Sequence, residues 1–291
     1  MAQRLSLLDI GLGLGVALLW GMGVVFAKAA LEHFPPILLM AFRFAVTALV
    51  LVWIVTPPRG QMRALFWIAF VSAAIQYSLT FTGLVRLDAS IALLVVQLEV
   101  PFLVLIGAIF LGEHTTLRKW AGIALAFGGV ALIAGEPKVA SAWGAVLMVV
   151  GGALAWAVGQ AMVRRLHEVD GLTVTAWVAV MATPQLLVMS LIFESDHIAA
   201  IRTAPPIVWI AVAYLGLIMT AIGYGMWYTL VRRNPISQVA PFLLLLPVWG
   251  IAGSHLFLGE SLAPIALLGG ALVIGGVAFI VFDRSDTAPS G

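Results

Sequence analysis

The tetrapeptide FLGE stands at residues 110–113, inside AIFLGEHTTLRKW, and returns at residues 257–260, inside SHLFLGESLAP. The match extends beyond four residues, because residues 77–133 align without a gap on residues 224–280 at a shift of 147. Seventeen of the 57 aligned pairs are identical, against roughly one in ten expected by chance in so apolar a composition. The chain therefore contains an internal repeat.

The composition is that of an integral membrane protein. Of its 291 residues, 63% are hydrophobic and 10% charged, and the mean hydropathy is +1.12, whereas a soluble domain of this length needs more charge to cover its surface. A spanning helix needs about 20 apolar residues and satisfies its own backbone hydrogen bonds. We predict an all-α protein with ten transmembrane helices, at residues 8–29, 36–56, 64–84, 90–111, 119–135, 142–163, 173–193, 205–229, 236–257 and 263–282.

The sequence shows no sign of catalytic or metal chemistry. It has no cysteine, its five histidines are scattered without ligand spacing, and it lacks the common nucleotide-binding, zinc-protease and serine-hydrolase motifs. Its net charge of +2 is a small excess, and the basic residues lie in short loops. We therefore expect no enzymatic activity, no cofactor, no metal and no nucleic-acid partner.

Lysine and arginine in the short loops predict the orientation in the membrane. With the N-terminus in the cytoplasm, ten basic residues fall on the inside and four on the outside, as the positive-inside rule requires. The first apolar run is too long for a typical cleaved signal, so we expect it to be retained. The prediction is a multi-pass protein of the inner (plasma) membrane with both termini in the cytoplasm.

The repeat has an odd number of spans, which decides the architecture. Its earlier part aligns at a shift of 136, so that Trp20 matches Trp156 and Gly23 matches Gly159. The first repeat then covers residues 1–136 and the second 137–291, with five helices each. Because five spans end on the opposite side, the two copies must be inverted in the membrane, an arrangement typical of alternating-access transporters with a central site between the halves.

The motifs resemble those of the drug/metabolite transporter superfamily, in its EamA family. Each half carries FLGE before its last span and GGVA within it, and ALLWGMGVVFAK at residues 17–28 is similar to the opening pattern of that family. The resemblance covers nearly the whole chain. It implies export of small metabolites, with bacterial amino-acid exporters as the nearest in size and layout, and a central cavity lined mainly by helices 1, 3, 4, 6, 8 and 9.

Two ionisable residues lie inside predicted spans, where charges are costly and usually paired or functional. Arg43 falls in the second helix and Glu99 in the fourth, at similar depths. One interpretation is a structural ion pair that joins the two helices. The other makes Glu99 a cavity carboxylate that meets a substrate ammonium or a proton, and its repeat partner, Leu246, cannot serve in that way.

Polar and aromatic residues on four helices complete the predicted cavity. Trp156 and Gln160 lie one turn apart on the sixth helix, Gln76 and Thr80 one turn apart on the third, and aromatic residues cluster on the eighth. Core packing or interfacial anchoring remains the alternative for each of them. The full set of cavity candidates is Trp20, Gln76, Tyr77, Thr80, Glu99, Trp156, Gln160, Tyr224, Trp227 and Tyr228.

Prolines inside spans are candidate hinges, since they free backbone carbonyls. Those at Pro101, Pro184, Pro241 and Pro247 interrupt the fourth, seventh and ninth helices.

We predict that each FLGE motif forms the connection between two successive helices. Gly112 and Gly259 are expected to end their helices in a left-handed conformation. The carboxylates of Glu113 and Glu260 are each expected to be stabilised by the dipole and free amides at the N-terminus of the helix that follows.

The leading functional hypothesis is a secondary transporter that exports small amphipathic metabolites, most favourably neutral or aromatic amino acids. An exporter of cationic drugs, with Glu99 as the cation site, and a channel are the alternatives. The expected partners are the small-molecule substrate and the lipid bilayer.

Overall fold

A computed structural model describes residues 5–110, 115–166, 169–234 and 236–283. These residues form helices and no β-strand. Ten long helical segments follow one another: α1 Leu7–Ala30, α2 Pro36–Leu51, α3 Arg59–Arg86, α4 Ala89–Phe110, α5 Leu117–Ala134, α6 Trp143–Val163, α7 Gly171–Phe193, α8 from Pro206–Ala213 through Tyr214–Ile222 to Gly223–Arg233, α9 from Ile236–Val239 through Ala240–Leu245 to Leu246–Leu258, and α10 Pro264–Val281. Short helices Pro137–Ala140 and His197–Thr203 lie in the connections.

Nine of these segments are long and apolar enough, within the described residues, to cross a membrane. The exception is α2, an apolar helix of 16 residues that ends at Leu51 rather than at residue 56 as predicted. Pro57 and Pro58 follow it closely, and a proline disfavours helical backbone in the residue before it. The prediction extended too far because hydropathy measures the affinity of residues for lipid and not their helical conformation. Trp53, for example, is apolar but lies beyond the helix end and is 84% exposed.

Backbone irregularities occur at matching places in the two halves. A π-helical segment interrupts α3 at Phe70–Ile75 and α8 at Tyr214–Ile222, and the shift of 147 maps the first into the second. In α4 the helix breaks at residues 97–98, and in α9 the 3₁₀ segment Ala240–Leu245 ends at the matching residues 244–245. The most irregular stretches of the bundle therefore follow the repeat seen in the sequence.

Glycines let α5 and α10 approach closely. A Cβ added to Gly122 would lie 2.5 Å from the carbonyl oxygen of Gly276, and one added to Gly129 would lie 2.5 Å from that of Gly269. The shift of 147 maps Gly122 onto Gly269 and Gly129 onto Gly276. The Gly122–Gly276 contact and the Gly129–Gly269 contact are therefore equivalent under the repeat. The contacts pair an early residue of one helix with a late residue of its partner, which makes the helices antiparallel, as a two-fold axis in the membrane plane requires.

Two apolar clusters hold the remaining helices together. The first lies mainly among α2, α3, α7 and α8 and contains Leu39, Met40 and Leu186. The second lies mainly among α4, α5, α6 and α10 and contains Leu98 and Val149. In addition α3 packs on α6 and α1 packs on α8 and α9, which leaves α3, α4, α8 and α9 with their irregular stretches inside the bundle.

Filling the glycine contact should destabilise the bundle. We expect Gly122→Ile to lower stability by about 1–3 kcal/mol, the usual cost of overpacking a tight contact, as measured by the thermal midpoint in detergent. Gly128→Ile is the matched control on the same helix, because a Cβ at that position meets nothing within 4 Å. Equal losses in the two variants would contradict the role assigned to the α5–α10 contact.

Candidate functional site

Glu99 begins the second half of a broken helix. α4 consists of Ala89–Val96 and Glu99–Phe110, and tight turns join the two, with the Leu98 amide donating to the Val95 carbonyl at 3.1 Å. The carboxylate thus stands in a first helical turn, where the helix dipole favours negative charge. Its position is near the middle of the 22-residue span.

No group among the described residues neutralises the Glu99 carboxylate. Glu99 is half-buried, and among the described residues it has no hydrogen bond and no ion pair. An unpaired carboxylate at membrane depth is costly unless a ligand, a proton or water completes its surroundings. Glu99 is therefore the strongest candidate for contact with a substrate.

Arg43 occupies a separate, enclosed position. Its side chain is 1% exposed, and its guanidinium donates to the Thr220 hydroxyl at 3.1 Å and to the Tyr77 hydroxyl at 3.3 Å. The guanidinium carbon also lies 4.7 Å from the centre of the Tyr77 ring, within the range of a cation–π contact. The structure forms no ion pair between Arg43 and Glu99 in the part of the chain it describes, so the guanidinium joins α2 to α3 and α8 instead.

Aromatic side chains connect α1 to α8 near its π-helical segment. The Trp20 indole N–H donates to the Met219 carbonyl at 3.0 Å. The Trp20 ring centre lies 4.9 Å from that of Tyr224 and 6.0 Å from that of Trp227. These three predicted cavity residues therefore form one cluster, whereas the Tyr228 side chain lies outside what the structure describes.

The polar candidates on α3 and α6 face each other. Gln76 donates to the Thr80 hydroxyl at 3.5 Å, both residues are buried, and the Gln76 amide oxygen has no partner among the described residues. A Cβ on Gly152 would clash with the Thr80 hydroxyl, so this face of α3 lies directly on α6.

On α6, Trp156 follows Gly152 by four residues and precedes Gln160 by four, so the three share one side of the helix. Both Trp156 and Gln160 are half-buried. Neither side chain forms a hydrogen bond within the described residues.

Three of the four candidate hinge prolines lie at helix breaks. Pro101 stands in the first turn after the break in α4, Pro241 is the second residue of the 3₁₀ segment of α9, and Pro247 is the second residue of the helix after it. Proline is well tolerated in a first turn, since its missing N–H has no helical partner there. Pro184 differs, because α7 continues through it from Gly171 to Phe193.

The second FLGE glutamate caps a helix from the other half of the chain. Glu260 accepts from the Ala89 amide at 2.7 Å, the Ser90 amide at 3.0 Å and the Ser90 hydroxyl at 2.8 Å. The predicted place for this carboxylate, at the start of the helix that follows it, was therefore wrong: α10 begins after Ala263, without a side-chain cap. Free amides at the start of α4 supply the donors that the carboxylate needs.

The glycine of the same motif behaves as predicted. Gly259 ends α9 in the left-handed conformation, with φ of 67°, which glycine adopts without steric cost. Gly112 and Glu113 of the first FLGE lie outside the described residues.

Further clamps stand at the same end of the bundle, which we call the clamp face and define by Glu260, Glu194 and Lys28. Glu194, which follows α7, accepts from the Ile37 amide at 2.7 Å and the Leu38 amide at 3.0 Å. Lys28 donates to the Leu84 carbonyl at 2.8 Å and the Val85 carbonyl at 3.1 Å. Charged side chains thus complete the open ends of α2, α3 and α4.

Sequence reasoning missed Glu194 and Thr220 as functional neighbours. A signal for Glu194 was present, since an acidic residue directly after an apolar span is available to cap another helix. Nothing local marked Thr220, which becomes the partner of Arg43 only because α8 packs on α2.

Asp88, on the clamp face just before α4, carries a perturbed carboxyl group. Partial burial raises its pKa, and the neighbouring Glu260 carboxylate raises it further, while Lys28 and Lys138 act in the opposite direction. Because the folded-state pKa lies above the unfolded one, Asp88 favours the folded state more as the pH falls through that raised pKa.

A cavity of about 320 Å³ lies beside the Glu260 clamp, with Ser90, Ser254, His255 and Leu262 in its wall. It contains none of the predicted cavity residues.

Similarity to known proteins covers almost the whole chain. Residues 7–135 and 143–282 match the EamA-like transporter family. A "Probable amino-acid metabolite efflux pump" of Salmonella typhimurium is 30% identical over 281 residues, 93% of this chain and 94% of that protein, and the protein of the same name from Escherichia coli is 30% identical over the same shares. A "Probable terminal-alkyne amino-acid exporter" of Streptantibioticus cattleyicolor is 34% identical over 203 residues, 68% of this chain and 66% of that protein.

One solved crystal structure shares the fold, with a TM-score of 0.62, 20% sequence identity and coverage of 94% of this chain and 96% of its own.

Removing the Glu260 carboxylate should weaken the clamp face. We expect Glu260→Ala to lower the thermal midpoint in detergent, because three donors at the start of α4 lose their acceptor, at a cost of about 1–3 kcal/mol. The exposed Glu32 on the loop after α1 is the matched control, and Glu32→Ala should leave the midpoint unchanged. An unaltered midpoint in the Glu260 variant would show that the clamp adds nothing to stability.

Proposed function

Because the chain belongs to the EamA-like transporter family, we propose that this membrane transporter exports neutral or aromatic amino acids, or similar small amphipathic metabolites, by alternating access. The observation that carries the proposal is the unpaired Glu99 carboxylate at the break in α4. It offers a single negative charge to a substrate ammonium at the middle of the membrane. As a member of a transporter family, the protein is not an enzyme.

The relatives support the substrate class. Two of them are named for efflux of amino-acid metabolites and one for export of an amino acid with a terminal alkyne. The names refer to an amino acid or to amino-acid metabolites, and an amino acid carries an ammonium group near a carboxylate and a variable side chain. A site for such molecules needs an acidic group, hydrogen-bond donors and an apolar wall.

We assign these three elements to residues of α1, α4, α6 and α8. Glu99 supplies the acidic group, and the indole N–H of Trp156, which has no acceptor among the described residues, and the amide of Gln160 supply donors. Trp20 and Trp227 supply an apolar aromatic surface, on which amino-acid side chains bury area with favourable ring contacts. In this proposal the substrate lies between α4, α6 and the aromatic cluster on α1 and α8.

Arg43 has a different part in the proposal. Enclosed by Tyr77, Thr220 and Met40, its guanidinium is not presented to a ligand in this conformation. Its positive charge supports the bundle interior through hydroxyl and ring contacts, which cost less than a bare buried cation.

Alternating access is supported by the paired irregularities of the two halves. Broken and π-helical segments mark functional and mobile places in membrane transporters. Here they occur in α3 and α4 and again in α8 and α9, and Glu99 directly follows the break in α4. Two matching sets allow two equivalent packings, one open to each side.

An exporter of cationic drugs is the second candidate, and the same carboxylate favours it. A lone acidic group suffices for a cation, whereas a zwitterionic amino acid also needs donors for its own carboxylate. A comparison of amino-acid flux with organic-cation flux distinguishes the amino-acid exporter from the drug exporter.

Glu99→Gln should abolish most of the transport without unfolding the protein. In proteoliposomes loaded with labelled amino acids we expect saturable efflux that counter-flow accelerates, and at least a tenfold loss in the variant, because one charge-assisted contact contributes about 1.5–3 kcal/mol. The measurement is initial efflux across a panel of neutral, aromatic, acidic and basic amino acids and one organic cation.

Glu32→Gln, the same change on an exposed loop residue, should transport like the parent. Wild-type efflux from the Glu99 variant would contradict the role of this carboxylate. Flux of the organic cation alone would favour the drug exporter, and flux that does not saturate would indicate a channel.

From the arginine and lysine distribution we propose that both termini lie in the cytoplasm, with the protein in the inner membrane. A fluorescent reporter fused after residue 291, which folds only in the cytoplasm, should light up, and an alkaline phosphatase reporter at the same place should stay inactive. The reverse result would contradict the proposed orientation.

A further inference from the structure

The Trp20 indole caps a carbonyl that the π-helical segment of α8 leaves without its regular donor. In an α-helix the Gly223 amide would donate to the Met219 carbonyl, four residues back. Here it reaches Ile218 and Thr220, the carbonyls on either side of Met219. The Trp20 N–H donates to the bypassed oxygen at 3.0 Å, and such a repair is valuable where no water can replace it.

The other half of the protein contains the same backbone defect. The Gln76 amide reaches the Val71 and Ala73 carbonyls and bypasses Ser72. The shift of 147 maps Gln76 onto Gly223 and Ser72 onto Met219. Both π-helical segments therefore bypass the carbonyl at the matching position.

The helix that covers each defect also matches. A Cβ on Gly23 of α1 would clash with Met219, and a Cβ on Gly159 of α6 would clash with Ser72. The shift of 136 maps Gly23 onto Gly159 and Trp20 onto Trp156. Each half thus carries a tryptophan three residues before the glycine that contacts the residue with the bypassed carbonyl.

Only one of the two tryptophans makes the hydrogen bond. Within the described residues the Trp156 indole N–H has no acceptor, whereas Trp20 is bonded. An inverted repeat caught in one access state is expected to differ between its halves, because each half takes the conformation that its partner adopts in the other state.

We propose that Trp20 and Trp156 are positioning residues that exchange roles between the two access states. In the state described here the Trp20 N–H caps the Met219 carbonyl and Trp156 is free to meet the substrate. In the opposite state the Trp156 N–H caps the Ser72 carbonyl and Trp20 is released. The inference rests on alternating access from the proposed function and not on the identity of the substrate.

The two hydrogen bonds would then shift the equilibrium between the two access states in opposite directions. Removing the Trp20 bond penalises the present state, and removing the Trp156 bond penalises the other one. A single neutral hydrogen bond is sufficient to change the ratio of states by about two- to tenfold. A purely structural tryptophan would have no such directional effect.

The absence of cysteine from the chain makes the test direct. A single thiol introduced by Gln97→Cys, at the break in α4, reports which side of the membrane reaches the site. Its modification by a membrane-impermeant reagent is measured in right-side-out and inside-out vesicles without substrate. We expect Trp20→Phe and Trp156→Phe to shift the ratio of the two rates about two- to tenfold in opposite directions, and the double variant to return near the parent.

Trp53→Phe, on the exposed chain after α2, is the matched control and should leave the ratio unchanged. Shifts in the same direction, or no shift in either variant, would overturn the exchange. Amino-acid efflux is measured separately, so that its failure would refute the proposed substrate while the thiol ratios still judge the two tryptophans.

Hydrogen exchange decides the case in which the thiol reacts from neither side. Trp20→Phe should then speed amide exchange in residues 214–222 more than in residues 70–75, because only the first segment loses its cap in this state. If Trp20→Phe increased the amide exchange rate by the same factor in both segments, the proposal would be overturned.

Discussion

The need to satisfy every backbone polar group within lipid governs this structure. A regular helix meets that need alone, but the described part of this bundle includes π-helical segments in α3 and α8, a break in α4 and the 3₁₀ segment Ala240–Leu245 in α9, each of which displaces regular hydrogen bonds. Side chains from other helices satisfy the groups left without partners: Trp20 donates to the Met219 carbonyl in the π-helical segment, and Glu260 and Glu194 accept from the first amides of α4 and α2, at ordinary helix starts. The polar side chains of the bundle are therefore explained largely by the defects they complete.

The charged side chains of Arg43 and Glu99 inside the bundle differ in the partners that other helices give them. Arg43 is surrounded by groups that tolerate a cation, namely two hydroxyls and an aromatic face, and needs no carboxylate. Among the described residues Glu99 has no comparable set of partners, although its place at the start of a helical segment lowers the cost of its charge. The contrast explains why two charges at similar depth have different parts in the proposed mechanism, one in holding helices and one in meeting the substrate.

Much of the fold was predictable because hydropathy and internal identity are properties of single helices. All ten apolar segments appear as helices in the described residues, and the family match covers both predicted halves. The end of α2, the target of Glu260 and the partner of Arg43 were not predictable in the same way. Each depends on which helix packs beside which, and no local pattern at Glu260 points to Ala89, more than 170 residues earlier.

The sequence by itself determined the membrane class, the approximate spans, the repeat and the left-handed Gly259, since these follow from composition, spacing and local steric preference. Only the tertiary structure decided that FLGE joins the two halves, that Arg43 and Glu99 stay apart, and that, within the described residues, Trp20 bonds a carbonyl while Trp156 has no acceptor. The physical reason is that hydrogen bonds and charges inside a bundle are satisfied across helices. Their partners are set by packing, which neighbours along the chain do not encode.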